Sequence, residues 1–567
     1  MTAAPTRERA LWRLDGEAFD VLVVGGGATG AGVARDAALR GLKVALVEAG
    51  DFAGETSSHS SKLIHGGLRY LQYGDLALVF EALAERRRLM ACAPHLCRPV
   101  EFLFPAYEGL PPRLDVLGAG IVLYNALALW RKPVGGQRLS RQEVARLSPL
   151  LRTADLQGAQ LYVDCQTDDA RLVLETVIDA AAVGAVTVSR LAVTGLARDQ
   201  RGRARGALGR DELTGATLTI RARVVVNATG PFSDSFDRGR RNLRPTLGAH
   251  LVLDAERLPH GGRVTVLRSP RDGRLVFVLP ADRRTIVGTT DTDWAPSGAA
   301  SGRAPRKGDE IAARASDVAY LIEVVNAGFP TISLEPADVV STYAGLRPLV
   351  AAPAHTPSNT SREHEILVEP DGLITIVGGK LTTYRRMAEE AVDKVVELSR
   401  DRGFEGSLSP CSTARRPLPG GDVDPAQVSL GDVELAPDIE RHLRQSYGSR
   451  AGRVVSCMSE PWPRSAAMNP GSRPPVPELS ARIDPELPYL WAEVLHAARN
   501  ELVTEVEDVL RRRIPLFREA RDQGAVAAGH AATIIGEILG WSAERRERSE
   551  AAYLESVASS RAWLRET

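Results

Sequence analysis

With 567 residues, 44% hydrophobic and 25% charged, the chain is too long for one hydrophobic core and apolar enough to build two or three. Its 71 basic and 71 acidic residues cancel, so no nucleic acid is expected as a partner, nor bulk attraction to an anionic membrane. Five cysteines without a CxxC spacing argue against a disulfide framework or a metal site and fit a reducing, cytoplasmic compartment.

Residues 1–18 are polar and mixed in charge, without the pattern of a signal peptide. Asp20 to Val24 then reads as a buried strand, Gly25 to Gly30 as a turn, Ala31 to Arg40 as a helix ended by Gly41, and Lys43 to Glu48 as a second strand. This βαβ unit implies a parallel sheet. Its Gly25-x-Gly27-x-x-Gly30 spacing is a dinucleotide fingerprint. Gly25 allows the tight turn, Gly27 lets the backbone approach a pyrophosphate, and Gly30 lets helix and strand pack closely. The helix N-terminus offers N–H groups to the phosphates, and Glu48 can accept from ribose hydroxyls. No second copy is present for a nicotinamide, which favours one tightly held flavin.

The stretch from Thr56 to Leu71 packs Ser57, Ser58, Ser60, Ser61, Lys62, His65, Gly66, Gly67, Arg69 and Tyr70 among four interleaved aliphatic residues. Part of it must be buried, and buried polar groups need partners, for which a bound ligand is suited. Only six of the basic residues are lysines, and Lys62 and Lys380 are two of them. In so arginine-rich a chain, a lysine marks a place that wants a compact ammonium.

Farther on, Val116 to Trp130 reads as a buried helix, with an interfacial helix near a membrane as the other reading. It falls short of the roughly 18–20 apolar residues that span a bilayer. Ser140 to Glu143 has capping-box spacing. Ala222 to Gly230 and Leu373 to Val377 read as buried strands of the first sheet, the latter running through Gly378, Gly379 and Lys380 into a helix from about Leu381. Runs at 250–254, 275–279 and 284–288 predict a second, more antiparallel sheet inserted between parts of the first. Residues 411–425 read as a linker and 458–479 as a long loop. Leu490, Val494, Leu495, Ala498, Leu502, Val506 and Val509 recur at helical spacing in a C-terminal helical region.

The Thr56–Leu71 segment, together with Gly25 to Gly30, Asn227 to Pro231, Gly288 to Asp291, Gly345 to Pro348 and Gly378 to Arg385, resembles the FAD-dependent glycerol-3-phosphate dehydrogenases across roughly residues 18–400. The resemblance implies an α/β flavoprotein: a Rossmann-like FAD-binding domain of the glycine-oxidase-like group, an inserted antiparallel sheet capping the substrate, and a C-terminal helical domain. The corresponding boundaries are 1–410 for the oxidoreductase domain and 426–567 for the helical one. Within the first, 18–100, 155–235 and 340–400 bind FAD, and 101–154 and 236–339 form the cap.

By the same resemblance, FAD is held by Gly25, Gly27, Gly30 and Glu48, by Thr56, Ser57, Ser58, Ser61, Lys62 and Gly66, and by Gly230, Gly379, Lys380, Leu381 and Thr382. Glycerol 3-phosphate is a dianion with a secondary alcohol, so it needs cations for the phosphate and a base for the hydroxyl proton. Arg69, Arg347, Lys380 and Thr383 are the implied substrate contacts. Arg347 also joins the catalytic set, in which His65 and His250 are both candidates for the base and Tyr70 positions the hydroxyl. A non-catalytic flavin-binding protein would not need His65, Arg69, Arg347 and Lys380 together. The family's bacterial members commonly sit on the inner face of the cytoplasmic membrane and pass electrons to quinone, whereas related oxidases use oxygen and make hydrogen peroxide. The acceptor stays open at this point, and so does the oligomeric state, a homodimer included.

Overall fold

The computed structural model describes residues 6–68, 71, 75–128, 136–235, 243–294, 305, 306, 308, 309, 311–350, 364–460 and 477–565. The unbroken aliphatic runs behave as runs buried on both faces should, becoming central parallel strands. Leu373–Gly378, Thr217–Asn227, Ala18–Val24, Val44–Val47 and Val186–Val188 lie side by side in that order, all parallel, with His364–Val368 antiparallel at one edge. One face packs on three helices, Ala28–Leu39, Asp169–Ala182 and Tyr384–Asp401, through Val21, Val23, Ala34, Val177 and Val392. The other face buries Leu22, Val24, Ala45 and Val225 against Leu14 of the first helix, Arg7–Gly16, and against an antiparallel extension at 191–211.

Among the described residues the second sheet has ten strands and is largely antiparallel, with one parallel pairing, of Val264–Arg268 with Cys97–Tyr107. It contains the expected 250–254, 275–279 and 284–288 segments as Leu243–Asp254, Leu275–Ala281 and Arg284–Gly288. It also takes in Leu63–Ile64, Leu156–Thr167 and Val339–Val350, which the expected boundaries put in the cofactor half. An alternating apolar run reveals that it is a strand but not which sheet will pair with it.

Three other readings change. The helix Leu114–Leu127 buries only one face, through Leu117, Ile121 and Tyr124, while Val116 and Val122 are 61% and 59% exposed. A segment apolar all round carries no sign of which side faces out. The C-terminal stripe is not one helix: Trp491–Asn500 stops, and Leu502 at φ 56° turns the chain before Val506–Asp508. Leu502 leaves its expected neighbours and packs on the core beneath the cofactor sheet. The 411–425 stretch is non-helical as read, yet it is anchored, with Leu418 buried and its N–H donating to the Cys92 carbonyl. The predicted capping box at Ser140 and Glu143 is present. Most of the 458–479 loop lies outside the described residues.

The C-terminal helices share one core, with Leu443, Tyr447, Leu495, Val506 and Ile535 at its centre. This region meets the rest of the chain across buried ion pairs. Arg171 reaches Glu501 at 2.5 Å, Arg450 pairs with Glu175, and Arg513 pairs with Asp51. Stripping one partner from such a pair strands a buried charge, so these contacts fix how the region is seated.

Candidate active site

The fingerprint loop is built as its glycines require. Gly25 leaves the first strand at φ 107°, and a Cβ there would lie 2.6 Å from the Ala228 carbonyl oxygen. A Cβ on Gly30 would overlap the Gly25 carbonyl oxygen, the close packing for which a glycine was expected there. Gly27 is the N-cap of Ala28–Leu39 and makes no side-chain cap bond to the first-turn N–H groups. Ala28 N–H donates to Ser57 Oγ at 2.9 Å. The Glu48 carboxylate accepts from Gly26 N–H and Gly50 N–H, both at 2.7 Å.

A cavity of about 480 Å³ runs past this loop. It is lined by Glu48 to Asp51 and Arg190 to Val193, by Gly25, Gly27, Thr56, Ser57 and Gly230, and by Gly379, Lys380 and Leu381. A helix N-terminus whose N-cap residue has no side chain, a glycine cradle and a carboxylate at the second strand's end fit the diphosphate and ribose of a dinucleotide. Glu55 also lines the cavity.

The other expected cofactor residues are placed elsewhere. Ser58 Oγ turns back to the Glu55 carbonyl. Lys62, at φ 55° and 4% exposed, gives its ammonium to Asp169 and to the Ser58 carbonyl. Its ammonium thus shapes the 58–62 turn, because Asp169 also accepts from Ser60 N–H and Ser60 Oγ. Gly66 N–H donates to the Tyr124 hydroxyl at 2.8 Å. Thr382 Oγ1 bonds both the N–H and the carbonyl of His65 at 3.2 Å, tying that turn to the Gly379–Thr383 loop. Thr383 is buried, with its hydroxyl toward the Lys380 carbonyl. Arg69 and Tyr70 lie outside the described residues.

Beside the cavity, the antiparallel pair Leu243–Asp254 and Val339–Val350 supplies the second half of the site. Its register sets His250 opposite Tyr343, Gly248 opposite Gly345, and Thr246 opposite Arg347. Because side chains alternate, all six share one face. The two glycines leave a gap: a Cβ on Gly248 would collide with the Arg347 guanidinium, and one on Gly345 would come within 2.7 Å of His59 Cβ. The 56–61 segment settles onto this face. Thr56 Oγ1 donates to the Leu346 carbonyl at 2.7 Å, and Ser61 Oγ lies 3.0 Å from His250 Nε2.

His250 is stacked on Tyr343 with centroids 4.5 Å apart and planes 8° from parallel. Burial, then the charges of Arg347 and Lys62, hold it well below the ordinary histidine range, so it is neutral near pH 7. Among the described residues its Nδ1 has no hydrogen-bond partner. Arg347 donates to Asp291 Oδ1 at 3.0 Å, Thr289 Oγ1 at 2.9 Å and the Thr290 carbonyl at 3.0 Å. Asp291, Asp169 and Tyr343 were not expected as site residues. Asp291 stood inside a quoted motif, and Asp169 could have been sought as the carboxylate that a buried lysine requires.

Residues 20–385 match the FAD-dependent oxidoreductase family, and residues 411–546 match the family described as the C-terminal domain of alpha-glycerophosphate oxidase. The glycerol-3-phosphate dehydrogenase of Mycobacterium leprae is 37% identical over 561 residues, covering 97% of this chain and 90% of that protein. The aerobic glycerol-3-phosphate dehydrogenase of Staphylococcus aureus is 34% identical over 524 residues, 89% of this chain and 88% of that protein. Among solved structures, the glycerol-3-phosphate dehydrogenase of Bacillus halodurans complexed with FAD superposes with a TM-score of 0.75 at 28% identity, covering 99% of this chain and 98% of that one. The cradle, the cavity and these relatives lead to one assignment: the chain belongs to the FAD-dependent glycerol-3-phosphate dehydrogenase family, and its cofactor is FAD.

Proposed function

We propose that this protein oxidises sn-glycerol 3-phosphate to dihydroxyacetone phosphate and passes the electrons through FAD to a quinone. The observation that carries the reading is the strand pair that sets Arg347 and a neutral His250 on one face, with the 56–61 segment bridging that face to the cofactor cavity. FAD, when bound, supplies the hydride acceptor. Arg347 and Lys380 bind the phosphate, and Asp291 fixes the plane of the Arg347 fork. His250 accepts the hydroxyl proton through a ring nitrogen that is unprotonated in the free protein; His65 is the second candidate. Entry of the substrate dianion raises the proton affinity of His250 at the moment it is needed, because an added negative charge favours imidazolium.

Anaerobic addition of glycerol 3-phosphate should bleach the yellow protein, and a panel of quinones and oxygen should then favour quinone in reoxidising it. Fast reoxidation by oxygen with stoichiometric hydrogen peroxide would instead make the protein an oxidase. If His250 is the base, the acid limb of the kcat/KM profile should lie well below pH 6.5, since the neutral form persists there. An acid limb at 6.5 or above would remove His250 from that role.

Quinone is a membrane solute, and two helices offer surfaces for docking to a bilayer from the inner face. Val116, Val122 and Leu123 are exposed on Leu114–Leu127, and Leu76 and Phe80 on Leu76–Cys92. Among the described residues no helix is long and apolar enough to cross a membrane. A surface helix with an apolar outer face binds by lying in the interface. The double substitution Val122→Asp and Leu123→Asp should weaken binding to liposomes, read by co-sedimentation, on the order of 100-fold, given about 3 kcal/mol of apolar burial lost. Activity with a soluble dye acceptor should be kept. Unchanged liposome binding would show that this face is not the contact.

A further inference from the structure

The cofactor cavity is not made by the oxidoreductase region alone. Glu507 and Arg512, from the C-terminal helical region, line the same wall as Glu48, Ala49 and Gly50. They stand on a short helix, Val506–Asp508, that widens into a π-turn over Val509–Arg513 and presents three successive arginines. Two of these, Arg512 and Arg513, converge on Asp51, which is buried three residues beyond Glu48 on the loop leaving the second parallel strand.

The wall is held from both sides. Arg190, at φ 54°, takes a backbone bond from its N–H to the Gly50 carbonyl at 2.8 Å. Its side chain crosses to Thr504 Oγ1 at 3.0 Å and Asp508 Oδ1 at 2.6 Å. Arg512 uses Nε on Asp51 and Nη2 on Asp508, the latter at 3.1 Å. Among the described residues its remaining nitrogen, Nη1, has only Glu507 Oε1 at 3.7 Å, beyond hydrogen-bonding range. A guanidinium locked by two buried carboxylates, with one amino group left over at a cavity wall, is pre-organised for an anionic or hydroxyl-bearing ligand. Arg190 also lines this cavity, but its guanidinium is engaged by Asp508, and Glu48, Glu55 and Glu507 put carboxylates in the same lining. A diphosphate entering there needs a positive group to offset them.

We propose that the C-terminal helical region is part of the FAD site. Arg512 Nη1 donates to the ribose–diphosphate portion of the cofactor, so that cofactor binding and seating of this region stabilise each other. The coupling is reciprocal: whatever FAD gains from a seated region, the region gains in stability from FAD.

The test uses full-length apoprotein prepared by removing flavin, with FAD affinity read by flavin fluorescence quenching. Arg512→Gln should weaken FAD binding on the order of 10- to 100-fold, the range for losing a charge-assisted hydrogen bond. It should also shrink the rise in Tm that FAD produces. Arg512→Lys keeps the charge and secures folding, but it cannot hold Asp51, Asp508 and the cofactor at once, so it should weaken binding too. Arg482→Gln breaks a C-terminal ion pair with Asp438 that lies away from the cavity and should leave FAD affinity unchanged. Hydrogen exchange of wild-type protein should show residues 504–513 protected on adding FAD. Folded Arg512 variants that bind FAD within twofold of wild type, or no protection at 504–513, would overturn the proposal and leave the arginines as docking contacts only.

Discussion

Arg347→Ala should lower kcat/KM for glycerol 3-phosphate by about 2–5 kcal/mol, the usual loss when one member of a buried charge contact is truncated. In rate terms that is roughly 30- to 5000-fold. Both KM and kcat should suffer, because the phosphate contact also holds the reacting carbon in place. Free glycerol has no phosphate, so its slow oxidation should be almost unaffected. Anaerobic stopped-flow reduction of the flavin with each substrate makes the comparison. Equal damage to both substrates would mean that Arg347 shapes the site through Asp291 and the Thr289–Thr290 turn and does not anchor phosphate. Asp291→Asn is the companion variant: it frees the fork from its orienting carboxylate and should raise KM with less effect on kcat.

Valine at Gly27 should give a folded but colourless protein. The first atom of the new side chain meets only Ser57 Oγ, at 3.0 Å, and that hydroxyl can rotate away. The isopropyl group then stands where the diphosphate must approach the helix N-terminus. Crowding together with lost phosphate contacts should weaken FAD binding by about 10³-fold. Valine at Gly30 tests a different physical fact. Its Cβ would overlap the Gly25 carbonyl oxygen, so the turn itself must break, and the apoprotein should lose stability as well as flavin. Flavin absorbance per chain and apoprotein Tm separate the two cases. Full flavin occupancy in Gly27→Val would place the cofactor elsewhere.

The parts of this protein that could be read from the chain are those set by neighbours a few residues apart. Gly25, Gly27 and Gly30 act within one turn, and the Ser140 capping box within three positions; their physics is contained in the segment. The buried strands also announced themselves, because a run without polar residues can only be covered on both faces. Family likeness then supplied the candidate roles of Arg347, Lys380 and His250, which no local pattern contains.

Tertiary structure decided what depended on distant partners. Lys62 looked like a cofactor residue, but its ammonium is bound by Asp169, 107 positions away. The shared face of His250 and Arg347 follows from a strand register that brings residue 250 opposite 343. The exposed side of Leu114–Leu127 was decided by what covered the other side. Most of all, Arg512 reaches the loop of Glu48 through Asp51 across 461 positions, a contact that exists only once two distinct hydrophobic cores are packed together. Charge pairs and registers of this kind are chosen by packing, and packing is a property of the whole chain and not of any segment of it.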